Sequence, residues 1–152
     1  MANTTATANS FKAEILQGTH AAADVYKIAL IKAGAAGTYG AGTTNVGTPG
    51  TGTPSSSNLG TDEVTGTGYT SGGATLSGFS VTITGSVARL DFSTPSWASA
   101  SISATGGIIY NSSKSNKVLG VFDFGGTITS TNGTFTASMP AVGDSTSLLR
   151  IA

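Results

Sequence analysis

The residues of this chain that could take part in chemistry are few and scattered. Asp91 and Asp123 each stand between apolar neighbours, and two such carboxylates can hydrolyse a glycoside when a fold brings them together. Both alternate with apolar residues, so we expect them on the outward side of strands, in a surface or interface hydrogen-bonding role. His20 is the only histidine. A catalytic triad or zinc site needs further partners beside it, so we expect an exposed histidine without a catalytic role.

Two glycine-containing motifs match known signatures only in part. Asp123-Phe124-Gly125 has the letters of the kinase metal-binding triplet, but the other kinase motifs do not accompany it. The segment 66–72 (GTGYTSG) approaches a dinucleotide-binding fingerprint, yet its third glycine falls one place late and no helical pattern follows. We therefore predict a glycine-supported turn that places Tyr69. The sequence predicts no cofactor and no metal ligands.

Large aromatic residues are the remaining candidates for a binding role. Trp97 is the single tryptophan. An indole suits a core position or an interface plug, which we favour here over a platform for stacking sugars. The full set of residues that we predict at an interface is Phe11, Tyr69, Trp97, Tyr110, Asp91 and Asp123.

Short strands of alternating polarity would position these residues. Residues 25–32 are apolar at both parities, which predicts a strand covered on both faces. Alternation resumes after residue 78, with a bulge predicted at Gly106-Gly107 and turns predicted at 93–95, 111–113, 125–126, 132–133 and 143–144. Asn132-Gly133 is the strongest hairpin signal. Many short strands without helical periods between them predict an all-β fold, an antiparallel β-sandwich or jelly roll.

The N-terminal part has a different pattern. Residues 1–9 are small and polar, so we predict a flexible N-terminal arm there, followed by a single domain over 10–152. That domain is expected to open with a short helix, capped by Ser10 and ended by Gly18.

The segment 34–60 is a long loop of Gly, Thr, Ser, Pro and Ala. It has almost nothing apolar to bury, so packing is not expected to offset its ordering entropy. We expect either a tolerated surface insertion or, alternatively, an arm that orders only against a neighbouring subunit.

The composition restricts the class of protein. Charged residues make up 9% of the chain, against about 25% in ordinary domains, and the formal net charge is zero. A near-neutral surface of Ser, Thr, Asn and Gly favours association and predicts a structural or binding protein, not an enzyme. The lysines and arginines are dispersed, so no nucleic-acid partner is expected. With no signal-peptide pattern and no apolar run of membrane length, we expect a cytoplasmic origin and no membrane partner.

Several stretches together carry a resemblance to a known family. The most specific is GTGYTSGG at 66–73, within 63–76, and the others are 10–12 with 25–30, 90–97, 108–112 and 121–135. Over most of residues 10–151 the chain resembles small virion structural proteins of tailed bacteriophages. It departs from their pattern in the enlarged Gly/Thr/Pro segment around 42–57.

The resemblance implies a virion component assembled in the host cytoplasm. With the near-neutral surface, it predicts a capsid decoration (cement) protein that binds the major capsid protein and copies of itself, as a homotrimer at a symmetry axis. The alternative is a tail-associated receptor- or carbohydrate-binding module that stacks its ligand on Trp97, Tyr69 or Tyr110, or another tail or head-fibre component. A hydrolase acting through Asp91 and Asp123 is a third, more distant hypothesis.

Overall fold

A computed structural model describes residues 3–139 and 148–152 of the chain. The regular structure of these residues is almost entirely antiparallel β-sheet. One short helix, α1 (Asn9–Leu16), precedes most of the strands. The strands are β1 (Ala6–Thr7), β2 (Tyr26–Lys32), β3 (Ala74–Thr75), β4 (Ser80–Thr84), β5 (Val87–Asp91), β6 (Ser96–Asn111), β7 (Lys117–Thr136) and β8 (Leu149–Ile151). The predicted all-β class is therefore confirmed.

The large sheet has the strand order β1-β7-β6-β2-β3 and holds most of the core. Strands β6 and β7 form a long hairpin through the 3-10 turn Ser112–Lys114, at the place predicted for a turn. Strand β2 lies against β6 and is covered on both faces, as its sequence predicts. The side chains of Ile28, Leu30, Ile108 and Leu119 are at most 1% exposed.

Two predicted turns lie instead inside β7. Between the pairs Ala104↔Ile128 and Gly106↔Asp123, β7 contains more residues than β6, so the segment around 125–126 is accommodated as a bulge. Asn132 has the left-handed φ of 48°, but β6 continues alongside it, so the predicted hairpin there is wrong. The conformation that Asn-Gly favours serves a bulge as well as a turn. The turn predicted at 143–144 lies outside the described residues.

A bulge lies directly before the predicted position, at Thr105, while Gly106 and Gly107 themselves pair regularly with β2. Ile31 of β2 pairs with Gly106 of β6, and the next residue, Lys32, pairs with Ala104. Thr105 is therefore an extra residue in β6 with no opposite residue in β2. The Thr105 hydroxyl donates to the Lys32 carbonyl oxygen at 3.2 Å.

The small sheet has the order β4-β5-β8. A two-residue turn at 85–86 joins β4 to β5, and Gly85 there has a φ of 60°. The sheet meets the large one through aromatic rings, because Tyr26 of β2 lies 5.3 Å from the ring centres of both Phe79 and Phe92.

Residues 3–9, predicted within a flexible arm, form part of the fold. Ala6 and Thr7 pair with β7, and the Ala8 amide donates to the Leu119 carbonyl oxygen at 2.9 Å. The reason is that β7 would otherwise be an edge, and its unpaired amides and carbonyls offer partners to a polar segment.

The helix begins two residues earlier than predicted, with Ala8 and not Ser10 at the N-cap position, and its end is confirmed. The Ser10 side chain does not cap it; its hydroxyl is buried and has no hydrogen-bond partner in the described structure. Gly18, with a φ of 64°, ends the helical segment. Phe11 is buried, whereas Leu16 is 90% exposed.

The loop 34–60 is ordered within a single chain, so it needs no neighbouring subunit for its order. Its few large apolar side chains, Tyr39, Val46 and Leu59, are fully buried. Its backbone is bound to the β6–β7 hairpin, because the Val118 amide donates to the Thr44 carbonyl oxygen at 3.1 Å. A few well-placed apolar residues and many backbone hydrogen bonds replace the broad apolar burial that the sequence lacks.

Asp62 fixes the beginning of this loop. Its carboxylate accepts from the amides of Ala36 and Gly37, at 2.9 and 2.7 Å, and from the Tyr39 hydroxyl at 2.9 Å. Burial by itself would raise the pKa of Asp62, but these hydrogen bonds, with Lys32 nearby, outweigh burial and lower the pKa.

We expect the stability of the fold to decrease in acid through Asp62. A lowered folded-state pKa contributes stability that is complete above the unfolded value, about 3.9, and is lost as the pH falls through the folded value. Thermal melts from pH 6 to pH 2 should show this loss. Asp62→Asn should be less stable at pH 6 by about 1–3 kcal/mol, because an amide nitrogen would face donors. An unchanged melting curve for that variant would contradict the role given to Asp62.

Candidate functional site

The glycine-rich segment 66–73 encloses a buried carboxylate. Glu63 is 2% exposed and accepts hydrogen bonds from the Tyr69 hydroxyl at 2.9 Å, the Ser71 hydroxyl at 2.7 Å and the Gly72 amide at 2.6 Å. The Gly72 amide, which a phosphate-binding loop would point at its ligand, is therefore used inside the chain. The predicted turn that places Tyr69 is confirmed.

Three of the predicted aromatic interface residues, Phe11, Trp97 and Tyr110, are buried within the chain, and the fourth, Tyr69, is partly buried. Trp97 is 7% exposed and lies between Tyr69 and Phe135, with ring centres 5.9 and 5.8 Å away. Tyr110 is 3% exposed and donates to the Gly72 carbonyl oxygen at 2.7 Å. Burial and the nearby Glu63 carboxylate raise the pKa of Tyr110 to about 12, so it remains a donor. These rings do not form the exposed stacking platform that the carbohydrate-binding hypothesis requires.

The two candidate aspartates lie in different sheets. Asp91 ends β5 and is buried, which corrects its predicted outward position; its carboxylate accepts from the Leu148 amide at 3.2 Å. Strand parity does not predict this burial, because the contact comes from Leu148, a residue distant in sequence that precedes β8. Asp123 is exposed as predicted, and its carboxylate accepts from the Gly125 amide at 3.1 Å. No hydrogen bond joins the two aspartates in the described structure.

His20 is buried in a hydrogen-bond network, and its predicted exposure is wrong. The His20 side chain is 7% exposed and lies 2.8 Å from Glu14 through Nε2 and 2.9 Å from the Asn111 amide nitrogen through Nδ1. Since that amide nitrogen can only donate, Nδ1 accepts and Nε2 carries the proton. Nε2 therefore holds the turn after α1 to the helix itself, and Nδ1 holds it to Asn111 at the end of β6.

The surface that sequence reasoning missed is an apolar cleft between α1 and the small sheet. The cleft encloses about 560 Å³, within the range of ligand-binding and docking cavities. Its apolar lining comes from both sides and consists of Phe11, Ile15, Leu16, Tyr26, Phe79, Val81, Ala88, Leu90, Leu149 and Ile151. Of the six predicted interface residues, Phe11 alone lines the cleft, and it is 4% exposed.

One face of the small sheet is apolar, and all of its residues except Ile83 line the cleft. The register places Val81, Leu90 and Leu149 in one row across the sheet, and Ile83, Ala88 and Ile151 in the next. We call these six residues the apolar face. Val81 is 58% exposed, Ile83 75% and Ile151 55%, which is unusual for large apolar side chains in neighbouring positions.

Cationic residues complete the lining of the cleft. Lys12, Arg89 and Arg150 border it, and none of the described lining residues is acidic. Lys12 is exposed at the edge of the cleft, whereas Arg89 and Arg150 are opposed to each other at the strand parity opposite to the apolar face. A partner with apolar side chains would therefore complement the cleft. The sequence signal for this surface was the alternation of Val81 and Ile83, which predicts a strand but does not say whether another layer covers it.

Other kinds of site were sought in the described residues. Among 3–139 and 148–152, no three His, Cys, Asp or Glu side chains are placed to hold a metal ion together. No helix in the described part of the chain has the length and hydropathy of a membrane-spanning segment. Comparison of the chain with protein-family models, with curated proteins and with solved structures found no match.

We expect Gly73→Ala to destabilise the protein more than Gly34→Ala. Both glycines have left-handed φ values, 74° and 71°, so alanine costs about 1–2 kcal/mol at either position. A Cβ at Gly73 would also lie 1.8 Å from the Ile28 carbonyl oxygen, whereas nothing lies within 4 Å at Gly34. Overpacking should raise the loss at Gly73 to about 2–5 kcal/mol. Equal losses in urea unfolding would contradict this account of the segment.

Proposed function

We propose that the protein is a structural subunit of a bacteriophage virion, a capsid decoration protein that binds the head shell and copies of itself. In this proposal the role is structural, not catalytic, and the cleft with its apolar face is the surface that contacts neighbouring subunits. The protein would act in the virion, after assembly in the host cytoplasm. The observation that carries the proposal is the exposure of the apolar face.

The energetics of that surface favour a protein partner. Burying a large aliphatic side chain contributes about 1.5–3 kcal/mol, and Leu16, Val81, Ile83 and Ile151 each expose more than half of their surface. Contiguous exposure of this kind marks interaction sites on soluble proteins. In a symmetric shell, a contact of moderate strength is repeated many times and becomes effective through multivalency.

The low charge of the chain supports the same proposal. With charged residues at 9% and zero net charge, electrostatic repulsion between copies is small. The family resemblance of the sequence points to a virion component as well. We further propose that the two sheets pack as a sandwich, supported by the contacts of Tyr26 with Phe79 and Phe92.

Binding to phage heads tests this proposal. Heads prepared without the protein should bind added protein in co-sedimentation, and the bound protein should raise the temperature at which heads release DNA. Leu16→Asp should bind at least tenfold more weakly, because it removes about 1.5–3 kcal/mol of apolar contact and adds a charge.

Ile128→Asp is the matched control for this experiment. Ile128 is also an exposed aliphatic residue, at 41%, but it lies on β7 and does not line the cleft. Its substitution should leave head binding unchanged, and melting curves should show that both variants fold. Absence of binding by the unmodified protein would refute the decoration role, and equal binding by both variants would refute the role of the cleft.

A further inference from the structure

Strand β4 forms an unprotected edge of the small sheet. Within the described residues it pairs with β5 alone, and all five of its residues are exposed. Natural edge strands are usually protected by charge, proline, a bulge or a covering segment. The sequence of β4, Ser-Val-Thr-Ile-Thr, contains no charge and no proline, and its pairing with β5 has no register shift. Such an edge is suited to accept another strand.

The sequence of β4 is complementary to itself in the antiparallel direction. If Thr82 lies opposite Thr82 of another chain, Val81 lies opposite Ile83 and Ser80 opposite Thr84. Directly opposed residues of antiparallel strands point to the same face of the sheet. The pairing therefore puts apolar residues beside apolar residues on one face and hydroxyl residues beside hydroxyl residues on the other.

We propose that β4 pairs antiparallel with β4 of a second copy of this chain, about a twofold axis through Thr82. The two small sheets become one six-stranded sheet of order β8-β5-β4-β4-β5-β8. This inference deepens the proposed function, on which it rests, because it names a second copy as one neighbour in the assembly. A symmetric contact of this kind closes on itself and gives a dimer, not an open chain of subunits.

The apolar face continues across the proposed junction. The row Val81, Leu90, Leu149 of one copy meets the row Ile83, Ala88, Ile151 of the other, because Val81 and Ile83 are opposed. Val81 and Ile83, the most exposed side chains of the apolar face, thereby gain neighbours. The pairing thus buries apolar surface and satisfies the backbone edge in the same contact.

Electrostatic repulsion does not oppose the pairing. The nearest cationic residue in the small sheet, Arg89, lies on β5 and is separated from its counterpart by three strand spacings. At about 4.8 Å each, these amount to about 14 Å, which exceeds the Debye length of about 8 Å at physiological salt.

A pair of single-cysteine variants tests the register directly, since the natural chain has no cysteine. Opposed residues have Cβ atoms about 5 Å apart, so Thr82→Cys should form an intermolecular disulfide under mild oxidation. Ser80→Cys is the matched control on the same face. In the proposed register Ser80 lies opposite Thr84 of the other copy. The two cysteine side chains at position 80 would therefore be four residues apart along the strands, about 13 Å, and should not crosslink. Equal crosslinking of both variants, or of neither, would overturn the proposal.

The mass in solution tests the contact without oxidation. Light scattering should give twice the chain mass of 14.9 kDa for the unmodified protein. Ile83→Lys should weaken the dimer at least tenfold without lowering the melting temperature, whereas Ile128→Lys should remain dimeric. A monomer, or a trimer that Ile83→Lys leaves intact, would overturn the twofold pairing.

The head-binding experiment separates this inference from the proposed function. A monomer that binds heads would overturn the pairing and leave the decoration role standing. A crosslinked dimer that never binds heads would support the pairing and refute the decoration role. If Thr82→Cys crosslinks to a head protein and not to itself, the edge accepts a different strand and the proposal of a second copy is wrong.

Discussion

Two adjacent buried carboxylates hold the irregular third of the chain to the sheets. Asp62 and Glu63 are 1% and 2% exposed, and they serve opposite sides: Asp62 binds residues 36–39, and Glu63 binds residues 69–72. Loops so poor in apolar residues cannot be ordered by apolar burial alone. Charge-assisted hydrogen bonds to backbone amides and hydroxyls are stronger than neutral ones, and here they supply what packing does not. The chain has seven acidic residues in all, and two of them form these hydrogen bonds to the loops.

Much of the framework could be predicted from the sequence, because alternation reports directly on strands. Strand β2, the presence of a bulge next to Gly106 and the turn that places Tyr69 follow from local patterns. The prediction failed where one local conformation serves two purposes. Asn132 adopts the left-handed conformation that its sequence favours, but whether this makes a hairpin or a bulge depends on how far β6 extends beside it. That length is a property of the partner strand.

The candidate site was the least predictable part, and the reason is physical. Trp97, Tyr110 and Asp91 attract attention as chemical groups, yet each finds its partners inside the chain. Val81 and Ile83 have the pattern of core residues, but the small sheet exposes them. Periodicity says which side chains share a face, and it does not say whether the fold supplies a second layer to cover that face. Only the assembled structure shows where cover is missing.

The pairing of β1 with β7 has a consequence for how the protein is made. The Thr5 hydroxyl accepts from the Asp123 amide, a contact between residues 118 positions apart in sequence. The ribosome therefore produces the first strand of the large sheet long before its neighbour exists, and β2 likewise waits for β6. Contacts so distant in sequence slow folding, because the chain must lose the entropy of closing a long loop before the strand pairing can stabilise it. The large sheet can be completed only after β7 has been synthesised, and until then the nascent chain exposes strands that other chains could join.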